Sequence, residues 1–103
     1  MSWVSVASTS DVAPGRVLSV PVGELTVAVC NVDGDFYAID DVCTHDGGAL
    51  DQGELEGTEI ECPRHGARFD VRTGAVTRLP AFEPIETYPV RVAGDTIEVD
   101  VDA

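Results

Sequence analysis

Lysine is absent from this sequence. The 103 residues contain six basic side chains, all arginine, against 19 aspartates and glutamates, so the formal net charge is −13. Nucleic acids and anionic membrane surfaces attract proteins through cationic patches that displace counterions. The composition therefore argues against both as partners and favours a protein with a basic surface as the counterpart.

Long apolar runs are missing as well. Even the run from Leu25 to Cys30 is interrupted by Thr26, and nothing approaches the roughly 20 apolar residues of a membrane-spanning helix. The opening residues Met1-Ser2-Trp3 show neither the charged nor the apolar region of a secretory signal. From these features we expect a soluble, cytoplasmic protein.

Cysteine and histidine are scarce, and their placement is uneven. Three cysteines are too few, and odd in number, for the disulfide framework of a small secreted domain. Metal binding or plain burial in a reducing compartment explains them better. Both histidines follow shortly after a cysteine, so the sequence concentrates its metal-binding chemistry in one region.

The remaining composition predicts a single all-β domain spanning residues 1–103. An apolar content of 44% supports one hydrophobic core at this chain length. Short β-prone segments alternate with Gly, Asp and Pro, a texture typical of a small sandwich or barrel. The predicted strands are Trp3 to Ala7, Arg16 to Val22, Leu25 to Val32, Asp35 to Asp40, Thr87 to Ala93 and Asp95 to Val101.

Two local patterns refine this prediction. Asp33-Gly34 suits the positive φ angles of a tight hairpin turn, and Gly94 predicts a second hairpin near the C-terminus. In the last strand, apolar Ile97, Val99 and Val101 alternate with Glu98, Asp100 and Asp102, so we expect one buried and one wet face. Between residues 41 and 66 the alternation fades, and five glycines replace it, with at most a turn of helix near residues 49–52.

This glycine-rich region carries two short motifs with metal-ligating side chains. The first is Cys43-Thr44-His45, and the second is Cys62-Pro63-Arg64-His65-Gly66, with 16 residues between them. Each motif offers one thiolate and one imidazole, so two loops brought together supply four ligands. Thiolate combined with imidazole narrows the metal to zinc, copper or iron–sulfur chemistry.

The two motifs resemble those of the Rieske [2Fe–2S] proteins, in particular the small ferredoxins that serve ring-hydroxylating oxygenases. The resemblance covers nearly the whole chain. It implies an antiparallel β-sandwich or incomplete barrel with a small cluster-binding lobe, formed by two loops, at about residues 41–80. It also implies one [2Fe–2S] cluster per chain, with Cys43 and Cys62 on one iron and His45 and His65 on the other.

By the same resemblance, the chain is an electron carrier and not an enzyme. The sequence shows no nucleotide-binding glycine motif or flavin-binding unit, and 103 residues leave no room for one. The implied partners are a flavoprotein reductase that uses NAD(P)H and a Rieske-type terminal oxygenase acting on an aromatic compound. We expect the carrier to be a monomer.

Departures from the family pattern predict a low reduction potential. Gly48 and Arg64 stand where respiratory Rieske proteins carry an additional disulfide. Ala67 and Phe69 stand where high-potential members carry a serine and a tyrosine that donate hydrogen bonds to cluster sulfur. The absence of both hydroxyl groups withdraws stabilisation from the reduced cluster. Pro80 matches a third loop that family members place against the cluster.

The sequence also allows other interpretations of the ligand set and of the role of the chain. The four ligands could form a structural Cys2His2 zinc site, although the spacing is unlike that of zinc fingers. The chain could instead be a small subunit of a nitrite-reductase-like or iron–sulfur-assembly complex. Cys30 lies in an apolar run, which favours a buried structural thiol. Arg64 and Arg68 either contact a partner carboxylate or are simply solvated.

Overall fold

The computed structural model describes residues 3–43, 48–63, 66–79 and 83–102. These residues form antiparallel sheets and two single-turn 3-10 helices, Thr9–Asp11 and Leu50–Gln52. No helix among them has the length and apolar character needed to cross a membrane. The strands are β1 (Trp3–Ser8), β2 (Val17–Val22), β3 (Leu25–Val32), β4 (Asp35–Asp40), β5 (Leu55–Glu56), β6 (Glu59–Glu61), β7 (Arg68–Asp70), β8 (Val76–Arg78), β9 (Thr87–Tyr88), β10 (Val90–Ala93) and β11 (Thr96–Asp100).

The strands form three sheets, of which one has a hydrophobic core on each face. Sheet A has the order β1-β11-β10, sheet B the order β2-β3-β4-β9, and sheet C the order β5-β6-β7-β8. In β3, Val27 and Val29 join a core with residues of sheet A, while Ala28 and Cys30 join a core with residues of sheet C. A strand buried on both faces carries a continuous apolar run in place of alternation. This explains the run that begins at Leu25.

Several sequence predictions are confirmed. Nearly all-β architecture with antiparallel pairing is present, and the first four strands agree with the predicted bounds to within one residue. Asp33 and Gly34 adopt φ angles of 51° and 97°, as a two-residue hairpin turn between β3 and β4 requires. The expected turn of helix after the first motif is the 3-10 helix Leu50–Gln52.

The predicted strand from Thr87 to Ala93 is wrong as a single element. Thr87–Tyr88 pairs with β4 in sheet B, whereas Val90–Ala93 pairs with β11 in sheet A. Pro89 separates the two pieces. Since proline has no N–H to donate to a strand ladder, it marks the point at which the chain passes from one sheet to the other.

The predicted wet face of the last strand is also wrong at Asp100, which is completely buried. Its backbone N–H donates to the carbonyl of Pro89 at 3.1 Å, and its Oδ1 accepts from the N–H of Asp102 at 2.9 Å. β11 is the central strand of sheet A. The crossing at Pro89 therefore lies against the end of β11, which alternation within one strand could not predict.

Sheet C was not predicted as a sheet. Its four strands contain only two or three residues each, too few for a period-two pattern to emerge from the sequence. Ile60 and Phe69 pair across β6 and β7 and are completely buried. Sheet C is thus built from two strands before the second motif and two strands after it, and it supports the ligand loops.

Candidate metal centre

The two predicted cysteine ligands lie together in the buried core between sheets B and C. Cys43 and Cys62 are each 1% exposed and belong to the same cluster of buried side chains. The two predicted histidine ligands, His45 and His65, lie outside the described residues, as does Pro80. The described part of the site is therefore its cysteine side and the base of each loop.

Matching hydrogen bonds close the two ligand loops. The backbone N–H of Cys43 donates to the carbonyl of Gly48 at 2.7 Å, and that of Cys62 donates to the carbonyl of Ala67, also at 2.7 Å. Each bond spans five residues, so the loops have the same size. Gly66 has a φ of 78°, a conformation that a side chain disfavours. The two cysteines thus occupy equivalent positions at the start of equivalent loops.

Gly53 brings the two loops close together. A Cβ atom at this position would overlap the backbone carbonyl oxygen of Glu61, the residue before Cys62. The N–H of Gly53 donates to the carbonyl of Leu50 at 3.0 Å, which ends the 3-10 helix that follows the first loop. Only glycine permits this approach, so Gly53 fixes the spacing between the Cys43 side and the Cys62 side.

Asp41 holds the base of the first loop. Its Oδ2 accepts a hydrogen bond from the Ser19 hydroxyl at 2.9 Å, and its Oδ1 accepts one from the Asp51 N–H at 2.7 Å. Burial, followed by the interaction with the Asp51 side chain, raises the pKa of Asp41 to about 6. The side chain thereby ties β2 and the 3-10 helix to the residues immediately before Cys43.

Apolar side chains surround the two cysteines. Leu50, Ile60, Ala67 and Phe69 are completely buried in the same cluster. A thiolate buried among such groups is costly without a partner of opposite charge. Two cysteines held this way suit a metal site that keeps water away from its sulfur ligands. The donor chemistry therefore fits a sulfur-bridged iron cluster whose cysteine side faces the core.

Cys30 also lies in this cluster, on β3, and is completely buried. Burial, with a smaller contribution from the charge of Asp41, raises the pKa of the Cys30 thiol to about 12. The three cysteines, all within the described residues, form no disulfide. Since a metal ligand must be a thiolate, these properties agree with the predicted structural role of Cys30.

Arg68 belongs to a network of ion pairs within sheet C. Its guanidinium group contacts carboxylates on three neighbouring positions of sheet C, Glu56 at 3.1 Å, Glu59 at 3.4 Å and Glu61 at 3.2 Å. Arg78 also contacts Glu61, at 3.5 Å. These ion pairs link β5 and β6 to β7, the strand that follows the second loop. Arg64, the other arginine considered, lies outside the described residues.

Gly74 supports the site through a close backbone contact that the sequence alone does not reveal. A Cβ at Gly74 would overlap the carbonyl oxygen of Ile85, and the Ile85 N–H donates to the Gly74 carbonyl at 2.9 Å. This contact anchors the chain just beyond the segment that includes Pro80. The φ of 81° at Gly74 also favours glycine. The sequence Thr73-Gly74 indicates a turn, but it does not reveal the contact between Gly74 and Ile85.

Comparison with known families identifies the centre. The model of the Rieske [2Fe–2S] domain matches residues 2–89, most of the chain and both ligand motifs. The chain belongs to the Rieske [2Fe–2S] family. Its cofactor is therefore a Rieske-type [2Fe–2S] cluster, and the zinc alternative is set aside.

Individual Rieske proteins are similar over almost the whole chain. The ferredoxin component of biphenyl 2,3-dioxygenase from Rhodococcus jostii (strain RHA1) is 41% identical over 102 residues, covering 99% of this chain and 95% of that protein. The ferredoxin of carbazole 1,9a-dioxygenase from Nocardioides aromaticivorans IC177 superposes with a TM-score of 0.92 at 40% identity, covering 96% of this chain and 97% of that one.

A third similar structure is of a complex. It contains reduced oxygenase and oxidised ferredoxin of carbazole 1,9a-dioxygenase, and the match has a TM-score of 0.90 at 39% identity. It covers 94% of this chain and 91% of the matched chain. The agreement in fold confirms the predicted antiparallel Rieske architecture.

Proposed function

We propose that this protein is the ferredoxin component of an aromatic-ring dioxygenase system, a one-electron carrier that delivers electrons to a Rieske-type terminal oxygenase. The observation that carries the proposal is the near-complete match, in both directions, with the biphenyl 2,3-dioxygenase ferredoxin component. The relatives that match over most of their length are ferredoxin components of dioxygenase systems. The protein is thus an electron carrier and not an enzyme.

We propose Cys43 and Cys62 as ligands of one iron and His45 and His65 as ligands of the other. The support is the pair of matched loops, in which both cysteines are buried at the loop start. The histidines follow each cysteine by two or three residues in the sequence. In this assignment the two buried cysteines would hold one iron at the edge of the core.

The ligand set explains why such a carrier has a higher potential than ordinary ferredoxins. Four thiolates leave an oxidised [2Fe–2S] cluster with a formal charge of about −2, whereas two thiolates and two neutral imidazoles leave it near zero. An electron enters a neutral cluster more easily, which places Rieske potentials between roughly −150 and +300 mV. Here Ala67 and Phe69 carry no hydroxyl group, so we place this protein at the low end of that range.

The electron donor in this proposal is a flavoprotein that oxidises NAD(P)H. The support for a separate donor is that the similar relatives are named as components of multi-component dioxygenase systems. We further infer a monomeric, cytoplasmic, single-domain protein over residues 1–103. Sheet B contributes to both cores, which supports a single domain, and three cysteines without a disulfide agree with a reducing compartment.

The alternative role as a small subunit of a nitrite-reductase-like or iron–sulfur-assembly complex receives less support. The relatives that match over nearly their full length and at about 40% identity are separate ferredoxin components. A permanent subunit would also copurify with its complex. The isolated chain should instead remain monomeric and soluble, with the cluster bound.

Reconstitution tests the proposed function directly. The purified holoprotein, mixed with an NADH-dependent ferredoxin reductase and the terminal oxygenase of a biphenyl dioxygenase system, should support substrate oxidation that stops when the carrier is omitted. His45→Ala and Cys62→Ala should lose the visible absorption of the cluster and all activity, since cluster binding and loop order are coupled. Full activity of a cluster-free variant would contradict the proposal.

A further inference from the structure

A groove lies beside the two ends of the first ligand loop, at Val42 and Ala49. It has a volume of about 550 Å³. Its lining includes the charged residues Glu24, Asp40, Asp41 and Asp51 and the apolar residues Leu25 and Val42. Val42 directly precedes Cys43, so this groove, the Cys43-side groove, adjoins the cluster site.

The groove combines carboxylates with exposed apolar side chains. Leu25 is 37% exposed and Val42 is 39% exposed, two of the few large apolar side chains with such exposure among the described residues. Two carboxylates line the same groove, Glu24 in the turn before β3 and Asp40 at the end of β4. An apolar centre with a charged rim is the usual composition of a protein-binding surface.

The charges of this groove are not balanced by arginine. Within residues 3–43, 48–63, 66–79 and 83–102, the arginine ion pairs involve carboxylates of sheet A or sheet C. Those pairs are Arg68 with Glu56, Glu59 and Glu61, Arg72 with Asp70, Arg78 with Glu61, and Arg91 with Glu98. The carboxylates of sheet C therefore share three arginines, whereas Glu24 and Asp40 in the groove have no arginine ion pair among the described residues.

From this asymmetry we infer that the Cys43-side groove is the docking surface for the terminal oxygenase, whose contacting segment carries lysine or arginine around an apolar side chain. The inference rests on the proposed function. A basic segment would place its cations against Glu24 and Asp40 and its apolar residue against Leu25 and Val42. The oxygenase is chosen over the reductase because a similar ferredoxin forms a complex with its oxygenase.

This position also suits electron transfer. The groove wall includes Val42 and Ala49, which flank the hydrogen-bonded ends of the Cys43 loop. A partner seated there lies next to the loop that carries His45. Transient electron-transfer contacts are small, so a few charged side chains have a large share in the association rate.

Charge reversal at the groove, with a matched reversal elsewhere, tests the inference. Glu24→Lys changes the exposed groove carboxylate, and Asp95→Lys makes the same change in net charge at the exposed β10–β11 turn of sheet A. Leu25→Ala removes apolar contact without changing charge. Stopped-flow absorbance measures the second-order rate of electron transfer from each reduced variant to the biphenyl dioxygenase terminal oxygenase, and from the reductase to each oxidised variant.

At about 0.01 M ionic strength, Glu24→Lys should slow transfer to the oxygenase about tenfold, and Asp95→Lys less than twofold. The difference should shrink at about 0.15 M, where the Debye length falls from roughly 30 Å to 8 Å. Leu25→Ala should slow transfer at both ionic strengths. Visible spectra and midpoint potentials should match those of the wild type in every variant.

Equal rates for Glu24→Lys and Asp95→Lys would overturn the inference, because only the net charge of the protein, and not its position in the groove, would then affect the association rate. A loss confined to reduction by the reductase would also overturn it. In both cases a wild-type chain that reduces the oxygenase leaves the proposed function standing. A wild-type chain that carries its cluster but cannot reduce the oxygenase would instead contradict the proposed function itself.

Discussion

Adding a hydroxyl group at Ala67 or Phe69 should raise the midpoint potential. Both residues are completely buried in the cluster of side chains that contains Cys43 and Cys62. Water is therefore not available to a hydroxyl introduced there, and the hydroxyl must find its acceptor on a cluster sulfur or within the protein. A donor to sulfur stabilises the reduced cluster more than the oxidised one, because reduction adds negative charge to that sulfur.

The size of the shift follows from the energy of such a bond. A hydrogen bond to a charged group contributes about 1.5–3 kcal/mol, of which only the difference between redox states changes the potential. A difference of about 0.5–1 kcal/mol per donor corresponds to roughly 20–40 mV, since 59 mV matches a tenfold change for one electron. Ala67→Ser and Phe69→Tyr should each show this rise, and the double variant about the sum.

Protein-film voltammetry and thermal unfolding together decide the outcome. Ala38→Ser is the matched control, because Ala38 is equally buried but faces the core on the other side of sheet B. Its hydroxyl should cost about 1–3 kcal/mol of stability if left unsatisfied, with the potential unchanged. The reasoning is refuted if Ala67→Ser behaves like this control, losing stability without any rise in potential while the cluster stays fully loaded.

The other predictions concern the support of the site. Cys30→Ala should keep the visible spectrum, and native Cys30 should resist alkylation at pH 8 because its pKa is about 12; loss of the cluster would contradict the ligand assignment. Gly53→Ala should destabilise the fold by about 1–3 kcal/mol and weaken cluster retention, because the added Cβ meets the backbone of Glu61; an unchanged Tm would refute this. Burial, then the charge of Glu86, raises the pKa of Asp40 above its usual 3.8, so the ionised carboxylate opposes folding at neutral pH and wild-type stability falls as pH rises through that raised pKa. Asp40→Asn should therefore have a higher Tm at pH 7, with a gap to the wild type that narrows as the pH falls through the raised pKa of Asp40; a gap independent of pH would exclude this cause.

The fold was predictable where the pattern was local. The Asp33-Gly34 turn and the first four strands follow from alternation, β-branched residues and turn chemistry. Prediction failed where a contact distant in sequence decided the structure. Pro89 moves the chain between sheets, and its segment buries Asp100, although Asp100 occupies a polar position of an alternating strand.

The ligand residues of the site could be predicted from the sequence, but the residues that hold the ligand loops in place could not. The two motifs name the candidate ligands because few other chemistries combine thiolate and imidazole at such spacing. The roles of Gly53 and Gly74 depend on carbonyl groups eight and eleven residues away along the chain, which no local pattern encodes. The ion pairs of Arg68 with three glutamates likewise depend on the pairing of the strands in sheet C.

The central claim is a cluster with one iron bound by cysteine and one by histidine. Mössbauer spectroscopy of the oxidised, ⁵⁷Fe-enriched holoprotein measures it most directly, because each iron gives a separate signal that depends on its ligands. An iron with four sulfur neighbours and an iron with two sulfur and two nitrogen neighbours should give two distinct doublets of equal area. A single doublet, from two equivalent irons, would contradict the assignment of Cys43, Cys62, His45 and His65.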